Sequence, residues 1–316
     1  MFTETRAMFL YCTSPVHMGA GTAVGGLIDN PIQRERHTDH PLLAGSGLKG
    51  AVRHAFAATV NGDGLVERIF GPDSGRDARA FAGAVSFTDA QIVAFPVRSP
   101  RRAFVYATCP SALGRARRLL AQVGVDPSWR AEPPIETGTC RVADEAVLRD
   151  GALDLEAFRM EALPREGSAN LRALARWLAD NALPGDEAYR FFRDKLATDL
   201  VLLADEDFGY FASNATSVEP HVRIDDTSGT ADDGGLFYTE NLPPESLLLG
   251  AVMASHERTP EGKRPGAALE ARAVLDIVAR GTGDATGIDG KVLQVGGDAT
   301  TGRGLVVVRL LGGAER

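Results

Sequence analysis

The stretch Pro41-Leu42-Leu43-Ala44-Gly45-Ser46-Gly47-Leu48-Lys49-Gly50-Ala51-Val52-Arg53 marks a change of period in the chain. Ahead of it, residues 5–13 form an apolar and aromatic run that stops before Ser14-Pro15, the pattern of a strand. Beyond it, Leu48, Val52, Ala55, Phe56 and Thr59 recur at helical spacing. Residues 47–60 are therefore predicted to form an amphipathic helix with Ser46 as its N-cap. Between strand and helix, residues 16–43 read as one long glycine-rich loop. Loops of more than about 12–15 residues in folded domains are commonly functional.

Working outward, strands are predicted at 84–88, 91–97, 247–255, 291–295 and 305–311, and helices at 111–123, 171–183 and 267–280. Residues 188–203 read as a helix, or a helix and a strand. Residues 218–225 and 236–239 flank a long acidic tip, the pattern of a hairpin. Residues 126–185 read as variable and partly helical. The order strand, helix, strands, hairpin, strand, helix, strand predicts an α+β fold. A ferredoxin-like β-α-β-β-α-β core with large insertions fits it.

Composition narrows the function. Of 316 residues, 44% are hydrophobic and 24% charged, which is a folded globular composition with room for one or two domains. No apolar run approaches the roughly 18 residues of a membrane span, so no membrane partner is expected. Glu4 precedes a short apolar run without an h-region, so no signal peptide is expected. Cys12, Cys109 and Cys140 are far apart and form no C-x-x-C pair, which favours a reduced, cytoplasmic protein. With 34 basic and 42 acidic residues the net charge is −8, which excludes a global basic footprint. The charge is polarised, however. Residues 90–125 carry six arginines and no acid, and residues 205–245 carry ten acids and one arginine. Such a chain can offer one face to a polyanion.

Gly296-Gly297-Asp298-Ala299-Thr300-Thr301-Gly302-Arg303-Gly304 has the glycine spacing of a P-loop, but Arg303-Gly304 stands where Lys then Ser/Thr is required. Nucleotide hydrolysis is excluded there. A glycine-rich turn between strands is the plainer reading, and backbone N–H groups along a phosphate chain the alternative. The run from Gly19 to Gly25 misses the dinucleotide spacing and meets Asn30-Pro31 where a helix should continue. Lys49 and Arg53 lie one turn apart beside a helix N-terminus, a phosphate-binding arrangement or a solvated polar face. His17, His37, His40, Asp29, Glu35 and Asp39 crowd one loop without metal-site spacing, and Asp29 ahead of Asn30-Pro31 can be a plain turn former. No G-x-S-x-G elbow is present.

Taken as an ordered set, Ser14 to Gly21, the run from Asp29 through Pro31-Ile32-Gln33-Arg34-Glu35-Arg36-His37-Thr38, Pro41 to Arg53 and the loop from Gly296 to Gly304 resemble the RAMP superfamily of CRISPR effectors. The Asp29 to Thr38 run, Arg223-Ile224-Asp225 and Gly234 to Pro244 resemble the repeated backbone subunits of type III-B Cmr complexes. The resemblance implies a ferredoxin-like (RRM-like) palm over about 1–110 and 245–316. It also implies an insertion over about 111–204 and a β-hairpin thumb over about 205–244. It implies a subunit that binds crRNA and target RNA, stacks with copies of itself in a helical filament beside other Cmr subunits, and acts as a metal-dependent endoribonuclease inside the assembly. Asp29 corresponds to the family's cleavage aspartate and, with a divalent ion, Mg2+ by expectation, to a metal ligand. His17, Tyr238 and Glu240 are further catalytic candidates. Guide contacts map to Ser46, Lys49, Arg53, Gly296, Gly297, Thr300, Thr301, Gly302, Arg303 and Gly304, with Arg98, Arg101 and Arg102 extending the groove. A non-cleaving structural backbone and a type III-A equivalent are the alternatives. The hairpin's acidity argues for a wedge that acts by shape and apolar contact.

Overall fold

The computed structural model describes residues 1–22, 27–60, 64–72 and 81–312. Strand β1 (Glu4–Cys12) is buried on both faces from Ala7 to Cys12. Met8, Leu10 and Cys12 enter one apolar layer, and Ala7, Phe9 and Tyr11 enter another. A strand covered on both faces needs apolar residues at every position, which accounts for the unbroken run in the sequence.

The first part of the chain continues with β2 (Leu42–Leu43), α1 (Gly45–Ala57), α2 (Leu65–Phe70), β3 (Val85–Phe87), β4 (Ala90–Ser99), β5 (Ala103–Thr108) and α3 (Pro110–Gln122). The middle holds β6 (Thr139–Val142), β7 (Ala152–Leu155), β8 (Phe158–Ala162), α4 (Ala169–Asn181), α5 (Arg190–Asp199), β9 (Leu200–Leu203) and α6 (Asp205–Asn214). The last part is the hairpin β10 (Ser217–Ile224) and β11 (Ala231–Asn241), then β12 (Leu247–Ala254), α7 (Ala271–Arg280), the small pair β13 (Gly281–Thr282) and β14 (Ala285–Thr286), β15 (Val292–Gln294) and β16 (Leu305–Leu311).

Neighbouring strands β16, β1, β12 and β3 are all antiparallel. With α1 and α7 as the two crossovers, this is the ferredoxin-like arrangement that the element order predicted. Leu48, Val52 and Phe56 of α1 and Val274, Leu275 and Val278 of α7 fill the layer on one face. The opposite face, which an RRM leaves open for bases, lies under α3, α4 and α5 through Leu113, Leu120, Leu171, Leu174, Leu178 and Leu196. Nucleic acid therefore has no access to the sheet face. Only the rims and loops remain for it.

Several expectations are corrected. Helix α1 starts at Gly45 after Ala44, and Ser46 is an exposed first-turn residue, not the N-cap. The cap is remote: Asp89 Oδ1 accepts the Gly45 N–H at 2.8 Å. Gly45 is required because a Cβ there would lie 2.3 Å from the Phe87 carbonyl oxygen. Residues 205–214 belong to a helix, not the hairpin, because Phe208, Phe211 and Ala212 of α6 pack into the first layer. Residues 126–185 add β6, β7 and β8 to the main sheet. Those strands span four or five residues each, too short for a period to show. The glycine run 19–25 lies partly outside the described residues. Among the described residues no helix is long and apolar enough to cross a membrane. Cys12, Cys109 and Cys140 are free and buried, and burial pushes the Cys109 and Cys140 thiols up to about 12.

Where the hairpin returns to the sheet, Glu245 sits in the left-handed region with φ 69°. The Tyr11 hydroxyl donates to its carboxylate and lies 2.9 Å from the Tyr106 hydroxyl. Burial raises the Glu245 carboxyl to about 7. A carboxyl that binds its proton more tightly when folded favours folding at low pH. This contribution is full below the unfolded value of about 4.3 and is lost as pH rises toward the folded one. Wild-type protein is expected to lose stability between pH 5 and pH 8, and Glu245→Gln to flatten that decline. Urea unfolding at the two pH values checks it, and parallel declines would count against the assignment.

Candidate functional site

The site grows from the loop that follows β1. Val16 and Leu242 exchange backbone hydrogen bonds, both 2.9 Å, which ties the loop to the hairpin base. The next residue, His17, faces two ways. Its Nδ1 lies 2.7 Å from the Glu240 carbonyl oxygen. A carbonyl can only accept, so Nδ1 carries the proton and a neutral ring keeps its lone pair on Nε2. Its own carbonyl accepts the Gly297 N–H at 2.8 Å. Gly19 keeps the other ring nitrogen clear, since a Cβ there would lie 2.9 Å from Nε2. Met18 then reaches the helix. Its sulfur accepts the Ala44 N–H at 3.0 Å, and its Cε would meet a Cβ on Gly47 at 2.9 Å.

Asp29 is exposed and held by the same strand. Its Oδ2 accepts the Tyr238 N–H at 2.7 Å, and the Tyr238 carbonyl accepts the N–H groups of Asp29 and Asn30. Tyr238 thus contributes its backbone. The anchors of Asp29 and His17, at Tyr238 and Glu240, are two residues apart on β11, about 7 Å along a strand. One Asp29 oxygen is fixed and the carboxylate edge faces solvent.

Glu240 does something other than the chemistry expected of it. It is 2% exposed, and its carboxylate accepts from Arg34 Nη2, the Ile32 N–H at 3.0 Å and the Thr216 hydroxyl at 2.7 Å. With every oxygen engaged it braces the loop against the hairpin. Arg34 also donates to the carbonyls of Asp39, Ala212 and Ser213. A second knot joins Glu35 to Arg115, Gln91 and Thr38, with His40 Nδ1 3.1 Å from Arg115. Burial, then Arg115, lowers the His40 pKa. Of the histidines and acids that crowd this loop in the sequence, Glu35 and His40 are thus structural.

Four of the six arginines of the stretch 90–125 are engaged within the chain. Arg102 binds the fully buried Asp199, Arg115 binds Glu35, Arg117 donates to the Trp129 carbonyl, and Arg101 donates to the Ala146 carbonyl. The cations that do cluster lie at α1. Burial and then the charges of Arg53 and Arg258 lower the Lys49 pKa. Arg53 also donates to the Gly71 carbonyl. Like charges gathered this way suit an anion. Arg258 had no sequence signal, being some 200 residues from Lys49. Ser46 and Gly47, at the α1 N-terminus, are exposed.

The glycine loop folds over His17. Gly296 has φ 83°, and a Cβ there would lie 2.2 Å from the His17 carbonyl oxygen. Gly304 donates to the Pro15 carbonyl at 2.7 Å. Gly297, Thr300, Thr301 and Gly302 are exposed, and Ala299–Thr301 forms one 3₁₀ turn. Arg303 departs from the expected free phosphate contact: its guanidinium is paired with Glu219 of β10. The remaining hairpin positions divide by face. Val218, Val222 and Leu236 are 44%, 47% and 54% exposed on one side. His221 stacks on Phe237 on the other, with ring centroids 5.1 Å apart.

Among the described residues no group of three His, Cys, Asp or Glu is placed to hold a metal ion. Asp29, whose carboxylate edge faces solvent, could supply a single ligand to such an ion.

A ferredoxin-like sheet whose glycine-rich C-terminal loop closes on the loop after β1 defines a class: residues 9–307 match the RAMP superfamily, and the chain belongs to it. Its relatives are more particular. Over 302 residues it is 32% identical to the CRISPR system Cmr endoribonuclease Cmr4 of Pyrococcus furiosus, covering 95% of this chain and 94% of that protein. It is 23% identical over 324 residues to the CRISPR system CMR subunit Cmr4 of Saccharolobus solfataricus, covering 98% and 97%. The crystal structure of oligomeric Cmr4 from Pyrococcus furiosus superposes with a TM-score of 0.71 at 26% identity, covering 98% of both chains.

Removing one partner of a buried ion pair costs about 3–5 kcal/mol. Glu240→Gln is therefore expected to destabilise the chain on that scale in equilibrium urea unfolding. An unchanged midpoint would show that Glu240 is no brace.

Proposed function

We propose that this chain is a backbone subunit of a type III-B CRISPR effector complex, which binds crRNA and cuts complementary target RNA at regular intervals. The observation that carries the reading is the placement of Asp29, bonded to the hairpin strand beside His17, in a chain 32% identical to a protein named as the Cmr endoribonuclease. The guide runs along the α1 N-terminus and the exposed glycine loop. There the free N–H groups near Ser46 and Gly47, Lys49 with Arg53 and Arg258, and the loop from Gly296 to Thr301 meet phosphates without reading bases. Successive copies stack along the guide. Each hairpin acts as a thumb, its exposed Val218, Val222 and Leu236 wedging between base pairs.

Cleavage needs little covalent help from the protein, because RNA carries its own nucleophile. The wedge splays the target strand and brings a 2′-oxygen in line with its neighbouring phosphorus, where orientation supplies much of the rate. The 2′-oxygen attacks phosphorus and the bond to the 5′-oxygen breaks. His17 Nε2, the unprotonated nitrogen, accepts the 2′-proton, and water protonates the leaving 5′-oxygen. The products are a 2′,3′-cyclic phosphate and a 5′-hydroxyl. A carboxylate beside a phosphate is repelled without a neutralising cation, so Asp29 would hold the divalent ion. When bound, that ion supplies charge neutralisation at the phosphate. Activity belongs to the assembly, because the splayed geometry needs guide and neighbouring hairpins.

In the reconstituted complex with guide and end-labelled target, Asp29→Asn is expected to reduce cleavage by at least about 100-fold while target binding is retained. Chelator should abolish cutting and Mg2+ restore it. Evenly spaced fragments from the variant would refute the role of Asp29. Tight binding without fragments from wild type would favour the non-cleaving backbone instead. A cation that no longer neutralises its phosphate lowers the salt slope of binding by about one. Lys49→Ala is therefore expected to weaken crRNA binding equally for unrelated guide sequences and to flatten log K against log salt. A sequence-dependent effect, or an unchanged slope, would remove Lys49 from the interface.

A further inference from the structure

A cavity of about 400 Å³ opens between β6 and the start of α4, and none of the residues described above as RNA-facing lines it. Its volume lies within the range of small-molecule pockets. Three observations converge there. Ser168, the residue ahead of α4, is 2% exposed and lines the cavity, yet its hydroxyl does not cap the helix and has no hydrogen-bond partner among the described residues. Its oxygen is not among the enclosed polar atoms left without a partner, so it opens onto the cavity. Next, Arg172 and Arg176 lie one turn apart on α4 and line the same cavity. Neither has an acidic partner among the described residues, unlike Arg102, Arg115 and Arg117. Last, the α4 N-terminus carries the positive end of a 13-residue helix.

The same cavity is also lined by acids. Glu145 lies 3.7 Å from Arg165, and Asp144 accepts the Ala146 N–H at 2.9 Å, leaving carboxylate oxygens that accept further hydrogen bonds. Unpaired guanidinium forks, a free hydroxyl and a helix N-terminus together match a phosphate. The carboxylates lining the same cavity match hydroxyl donors. We propose that this cavity binds a small phosphomonoester that also carries hydroxyl groups, its phosphate on Ser168, Arg172 and Arg176 and its hydroxyls toward Asp144 and Glu145. A recess of this volume admits one sugar-phosphate unit, and a continuous RNA strand does not fit within it.

The test is titration calorimetry of the full chain with ribose 5-phosphate, with ribose and inorganic phosphate as controls. Saturable binding of ribose 5-phosphate, weaker binding of phosphate and none of ribose are expected. The Arg172→Gln/Arg176→Gln pair should weaken binding at least about tenfold. Ser168→Ala, a change small enough to keep the fold, should weaken it as well. Unfolding midpoints of both variants confirm that they are folded. No saturable binding at millimolar ligand, equal binding by wild type and Ser168→Ala, or binding of a 5′-phosphorylated oligonucleotide in place of ribose 5-phosphate would each overturn the proposal.

Discussion

Three consecutive residues hold the candidate site together. Val16 pairs with the hairpin base at Leu242, His17 joins the Glu240 carbonyl to the glycine loop at Gly297, and Met18 receives the helix α1 entry at Ala44. These bonds link four segments that are distant in sequence. The glycines follow from them. A Cβ on Gly19, Gly47 or Gly296 would collide with His17 or Met18. At Gly296 the loop comes close to the backbone of His17, and only a residue without a side chain permits that.

Burial of charge is the second organising feature. Arg34 with Glu240, Arg115 with Glu35, and Arg102 with Asp199 are all pairs of low exposure on the acidic side. Such pairs add little net stability, since desolvation offsets the attraction. They do fix geometry. The first two join the loop that carries Asp29 to the hairpin, to α6 and to α3, so the exposed carboxylate rests on a rigid base. Lys49 is the contrasting case, a cation whose pKa is lowered by burial and then by the charges of Arg53 and Arg258.

The closed second face of the sheet separates this chain from an RRM. Helices α3, α4 and α5 cover the surface on which an RRM stacks bases. In the proposed function, contact with nucleic acid falls at the rim, where backbone N–H groups and cations prevail. That chemistry suits a guide whose sequence varies. The same insertion carries the cavity at α4, so covering the sheet also created a recess remote from the rim.

Much was legible from order alone. The strand at β1, the helix after Ala44, the hairpin and the C-terminal strands announced themselves through period and turn residues, and their succession determined the α+β class. The motif set around Asp29, Lys49 and the glycine loop pointed to the superfamily. The sequence could not say which charges would be spent internally. Arginines at 102, 115 and 117 read as a basic face and became structural ties, Arg303 was taken by Glu219, and Glu240 became a brace. Nor could it place Arg258 beside Lys49, give Asp89 to the α1 N-terminus or set Tyr238 against Asp29. Period and propensity are properties of neighbouring residues. An ion pair or a cap between positions 40 to 210 residues apart exists only once the sheet has brought them together.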